Sequence, residues 1–118
     1  MRFLSLYIPA SIPSGPPDAA HMAKMGKLIE DMMQAGVLVA TDGIMSRNTG
    51  MKVTRDKDKF TVDNGPVAGS SLMPAGGYAV LNATSREELV KHVKTFLDVA
   101  SDGHCELIQL MDGPPPQA

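Results

Sequence analysis

Apolar positions along this chain follow two different periods, and the switches between them mark out its elements. Residues 2–8, Arg-Phe-Leu-Ser-Leu-Tyr-Ile, are dense in strand formers and stop at Pro9, which has no N–H for a central ladder. Residues 9–17 hold Pro9, Pro13, Pro16 and Pro17 with Ser11, Ser14 and Gly15, a loop leading to a helix start at Pro17 and Asp18. Apolar side chains then recur in steps of three and four at Met22, Met25, Leu28, Ile29, Met32 and Met33, and Gly36 stops the helix they predict. Residues 37–40 form a short apolar run, a second strand, closed by the turn chemistry of Thr41-Asp42-Gly43. Residues 51–55 and 59–62 alternate on either side of the charged tip Asp56-Lys57-Asp58, which predicts a projecting hairpin. Residues 64–76 include Gly65, Pro66, Gly69, Ser70, Ser71, Pro74 and Gly76 and predict a long irregular connection of the kind that often carries function.

Strand chemistry returns over residues 78–83, and Ser85-Arg86-Glu87-Glu88 fits a capping box, in which the serine and the glutamate satisfy each other's free amides. Leu89, Val93, Phe96, Leu97 and Ala100 make the buried face of the second helix. Asp102-Gly103 ends it, and residues 104–111 form the last strand. The order strand, helix, strand, hairpin, strand, helix, strand predicts an α+β protein. Its expected form is a ferredoxin-like split βαβ antiparallel sheet with two helices on one face and an inserted β-hairpin. Residues 1–112 read as a single domain and residues 113–118 as a flexible Pro-rich tail.

The strands are apolar on both faces. Leu4, Leu6 and Ile8 alternate with Phe3 and Tyr7; Ala79 and Leu81 with Tyr78 and Val80; Cys105 and Leu107 with Ile108 and Leu110. Two helices cover one face, so something must cover the other. A second copy of the chain is the simplest cover, through a self-complementary homodimer; the alternative is that the hairpin folds back over it.

Composition narrows the partners. A net charge of -2 with 20% charged residues lacks the basic footprint of a nucleic-acid binder. Apolar runs fall far short of the roughly 20 residues needed to cross a bilayer, and the N-terminus lacks signal-peptide features, so the expectation is a cytoplasmic protein without membrane partners. The single cysteine, Cys105, has no second thiol for a disulfide or a zinc pattern and reads as an inert strand residue. His21, His92 and His104 are scattered without metal spacing, so neither a metal nor another cofactor is expected; His92, beside Lys91, and His104 read as surface residues.

With these elements placed, the chain resembles the YCII-related superfamily, in particular its DGPF-domain branch of small dimeric α+β barrel proteins. The resemblance rests on Ala35-Gly36-Val37-Leu38-Val39, the charged hairpin, Asp63-Asn64-Gly65-Pro66-Val67, Gly76-Gly77-Tyr78, the Ser85-Arg86-Glu87-Glu88 helix start and Glu106. The chain departs from the branch where Asn64 is inserted, where Val67 replaces a phenylalanine, and where Ser70-Ser71-Leu72 replaces threonine-lysine-glutamate. The resemblance implies sheet-to-sheet dimers and a cleft between sheet and helices.

His21 shares the helical stripe of Met25, Leu28 and Met32 and should face that cleft, where an imidazole suits general acid or base work. The resemblance implies a histidine–aspartate pair, with Asp42 at the matching position and Asp63 as the second candidate. The competing reading makes His21 a first-turn residue bonded to backbone and both aspartates turn formers. Tyr7 and Tyr78 are candidate ligand-binding hydroxyls, although strand tyrosines more often pack, and Ser70 and Ser71 are candidates in the glycine-rich loop. Two functions stay open: a cofactor-free acid/base enzyme acting on a small molecule in the cleft, and a non-catalytic module that binds a small ligand or a protein.

Overall fold

The structure, a computed structural model, describes residues 1–11, 18–44, 50–64 and 76–111. The predicted Pro-rich tail and the loop candidates Ser70 and Ser71 lie outside these residues. The elements run β1 (Arg2–Pro9), α1 (Ala19–Gln34), β2 (Leu38–Gly43), β3 (Lys52–Asp56), β4 (Lys59–Asp63), β5 (Gly77–Asn82), α2 (Arg86–Ala100) and β6 (Gly103–Gln109). Four strands form one sheet in the order β2-β5-β1-β6, and each of its three pairings is antiparallel. The architecture is α+β and compatible with a ferredoxin-like fold; β3 and β4 make a separate two-stranded sheet.

Local chemistry explains the helix boundaries. The Asp18 carboxylate caps α1 by accepting the His21 N–H at 2.7 Å. At the other end Gly36 takes φ 75°, so that Gly36 N–H donates to Met33 O and Val37 N–H to Met32 O, the paired bonds of a Schellman stop. In α2 the Ser85 hydroxyl accepts the Glu88 N–H at 3.1 Å. The second half of the predicted box differs, because Glu88 reaches one residue further back and takes the backbone N–H of Thr84 at 3.1 Å together with the Thr84 hydroxyl.

The core is small: Phe3, Leu38, Leu81, Ala83, Leu89 and Val93 are buried, with Ile29, Met32, Leu97, Cys105 and Leu107 packed against them. Residues from both helices and from all four strands meet here, so α1 and α2 lie on the face that carries Phe3 and Leu81. Strand alternation assigns the opposite face to Leu4, Leu6, Ile8, Val80 and Ile108. Neither helix covers that face, and Ile108 is 58% exposed on it.

Thr41-Asp42-Gly43 continues β2 instead of closing it in a turn. The reason is pairing: these residues lie opposite Ala79, Tyr78 and Gly77, and the Thr41 hydroxyl donates to Tyr78 O at 2.8 Å. The pairing slips at a bulge, where Leu38 stands opposite Leu81 and Ala40 opposite Val80, leaving Val39 between them.

Candidate functional site

A cavity of about 460 Å³ opens between the sheet and the two helices, within the usual size range of small-molecule sites. Its wall is apolar where Met25, Leu28 and Met32 of α1 face Val93 and Phe96 of α2. Set into this wall are two imidazoles, His21 from the first turn of α1 and His92 from the middle of α2, with the Thr41 hydroxyl at the sheet. Gly43, Gly76 and Gly77 form part of the lining, and Gly76 is tied down by its N–H to Tyr7 O at 2.8 Å.

His21 lies where the helical stripe placed it, half-buried in the cavity wall. Its imidazole makes no hydrogen bond among the described residues. Asp42 also borders the cavity, but its carboxylate is already engaged: the Tyr78 hydroxyl donates to Asp42 Oδ2 at 2.9 Å. The bulge explains the separation. Uninterrupted alternation from Leu38 would turn Asp42 toward the helices, whereas the extra residue Val39 reverses it, so Thr41 faces the helices and Asp42 shares the other face with Tyr78. His21 and Asp42 therefore meet at one cleft without touching. Asp63 ends β4 in the separate hairpin and is not part of the cavity lining.

The two tyrosines are bound to protein groups. The ring of Tyr7 meets Phe96 edge to face, with centroids 5.4 Å apart, and its hydroxyl is nearest to Asp102 O at 3.2 Å, just beyond the end of α2. Burial, then the neighbouring Cys105 and Asp102, push the Tyr7 hydroxyl above its usual titration range, so it remains a donor. The hydrogen bond and charge of Asp42 do the same for Tyr78. The Cys105 thiol is also pushed up, by burial, against a weaker opposing effect of its bond to Ser5, which fits an inert core thiol.

His92 is the residue that sequence reasoning put on the wrong surface. Its side chain is only 24% exposed and lines the cavity. The signal was present: position 92 lies three residues after Leu89 and four before Phe96, both on the apolar stripe, and the neighbouring Lys91 obscured it. Its Nε2 lies 3.2 Å from Glu88 Oε1. Glu88 Oε2 takes the two Thr84 donors, so each carboxylate oxygen has its own partner. The Thr84 hydroxyl, then the Thr84 N–H, then His92 hold the Glu88 carboxyl down at about 2, so it is ionised throughout the neutral range.

Among the described residues no cluster of three or more histidine, cysteine or acidic side chains is arranged to hold a metal, and no helix is long and apolar enough to cross a membrane. Compared with known proteins, the chain matches no family model and no curated sequence.

Proposed function

We propose that this chain is a YCII-related protein that binds a small, largely apolar molecule in the cleft between sheet and helices and carries out acid/base chemistry on it without a cofactor. The observation that carries this reading is the cavity itself, an apolar wall of ligand size interrupted by two imidazoles. A purely structural gap between helices would be expected to close on itself with apolar side chains. The strand order β2-β5-β1-β6, with both helices on one face, is in keeping with the family resemblance.

The functional unit in this proposal is a homodimer joined through the second sheet face. Support comes from the apolar rows of that face, where Leu4 stands between Val80 and Ile108. Support also comes from the hairpin, whose residues in β3 and β4 are all exposed and therefore bury no face of the sheet among the described residues. Met51, Val53, Phe60 and Val62 are exposed there too, giving the hairpin an apolar side suited to a second copy.

The test is ligand-observed binding. A screen of small aromatic and carbonyl compounds should raise the melting temperature of the folded chain and shift the amide resonances of Met25, Thr41 and Val93 together. His21→Ala should weaken such a hit severalfold while leaving the melting temperature of the free protein unchanged. Hits that shift only residues outside the cleft would remove the basis of the proposal. A non-catalytic binding module is favoured instead if compounds bind in the cleft and no proton transfer can be detected with any of them.

A further inference from the structure

Glu88 and His92 are joined side by side on α2, where His92 is part of the cavity lining, and neither His21 nor Asp42 has a comparable arrangement. An ionised carboxylate can only accept, so the hydrogen between the two must sit on His92 Nε2. In the neutral imidazole this leaves the lone pair on Nδ1, which has no partner among the described residues and is the nitrogen open to a bound molecule. The carboxylate is itself immobilised, because its second oxygen is held by the backbone N–H and hydroxyl of Thr84 at the helix entrance. Threonine, glutamate and histidine thus form a chain from the first turn of α2 to the cavity wall. The same glutamate that helps to cap the helix sets the orientation of the base.

We propose that His92 is the catalytic base of the cleft, with Glu88 as its positioning residue and Thr84 holding Glu88. The proposal rests on the reading of the cleft as a small-molecule site. Neutral His92 takes a proton from a weakly acidic C–H or O–H of the bound molecule at Nδ1, and the resulting imidazolium is stabilised by the adjacent carboxylate. The proton is then returned to another atom of the same molecule or to water, so the step consumes no co-reactant. The substrate class this implies is a small apolar compound with an activated proton, seated against Val93 and Phe96. Other titratable groups lining the cleft are His21 on α1, Tyr7 on β1, Asp42 on β2 and Tyr78 on β5, while Cys105 on β6 packs against the core and is not part of the lining.

Ring opening of 5-nitrobenzisoxazole by the full chain tests the proposal. A base removes the ring proton, the C–H electron pair forms the nitrile, and the N–O bond breaks to release a coloured nitrophenolate. Binding of 5-nitroindole, an unreactive bicycle of similar size, is measured in parallel by thermal shift. Wild type should turn the probe over, and His92→Ala should lower kcat by about 100-fold or more while still binding 5-nitroindole. Glu88→Gln should lower kcat and move the pH–rate midpoint, with Glu88→Asp recovering part of both; a merely structural capping role would not move the midpoint. His21→Ala should act on KM and keep the pH-dependent limb of kcat. The proposal is overturned if His92→Ala keeps wild-type kcat, if His21→Ala rather than His92→Ala removes the pH-dependent limb, or if wild type binds 5-nitroindole without turning over the probe. Failure of wild type to bind either compound overturns the cleft reading, and the base with it.

Discussion

At the scale of single residues, Glu88 shows how one side chain ties local structure to a site. Its position in the first turn of α2 was legible from the Ser85-Arg86-Glu87-Glu88 pattern, but the pairing of its Oε1 with His92 was not, since that depends on the rotamer of His92. The depressed carboxyl has a consequence for stability. A carboxylate whose pKa is about 2 in the folded chain, against an ordinary 4.5, contributes fully above the unfolded value, and that contribution is lost as pH falls through the folded one. Urea unfolding of wild type should therefore show stability falling from about pH 5 towards pH 2, and Glu88→Gln should flatten that slope. Equal slopes for both proteins would show that Glu88 is not tied to Thr84 and His92 in solution. Gly103 is a second single-residue constraint. It sits at φ 156° where β6 starts against the end of β1, and a Cβ there would lie 2.5 Å from Ile8 O and 3.0 Å from the Tyr7 ring. Gly103→Ala should cost about 2 kcal/mol or more, read from the denaturant midpoint, because a backbone oxygen cannot move aside as a flexible side chain can.

Among the elements, the helices were the most legible and the second strand the least. Three- and four-residue spacing together with cap residues specifies a helix within its own segment, so Asp18, Gly36 and Ser85 mark boundaries that the structure keeps. Thr41-Asp42-Gly43 carries turn chemistry, yet β5 offers it a complete antiparallel ladder, and that pairing outweighs local preference. The hairpin of β3 and β4 is the counter-example, an element defined locally. Its register pairs Val53 with Val62 and Arg55 with Phe60, leaving Lys57 and Asp58 as a two-residue tip with φ 49° and 71°. Asparagine and glycine take these conformations more easily than lysine and aspartate. Lys57→Asn with Asp58→Gly should slow amide exchange across β3 and β4, equivalent to about 1 kcal/mol of local stability, and leave the global melting temperature in place. The exposed Arg55–Asp58 ion pair that is lost should offset little of this. A matching rise in the global transition would mean that the hairpin is integrated with the core.

For the whole molecule, the question is what completes so small a core. Among the described residues six buried apolar side chains anchor one face of the sheet, while Ile108 and the hairpin residue Phe60, 58% and 69% exposed, remain in water. If a second copy covers the outer face, sedimentation at micromolar concentration should report a dimer, and Ile108→Lys should shift the protein to monomer without unfolding it. A wild-type monomer at that concentration would sink the dimer proposal. The cavity belongs to the same scale, since α1, α2 and the sheet each supply a wall to it. The amino-acid sequence by itself determined which segments are helices and strands, their order, and the helical stripe that carries His21 into the cleft. These follow from periodicity and capping, which act over a few neighbouring residues. Only the tertiary structure decided the direction of the Asp42 carboxylate, because the bulge at Val39 is set by the registry of β2 against β5. It likewise decided that the apolar side of α2 lines a cavity shared with α1 and the sheet, where the imidazole joined to a fixed carboxylate is His92 rather than His21. Both outcomes turn on which surfaces meet, and that is settled by packing between segments distant in the chain.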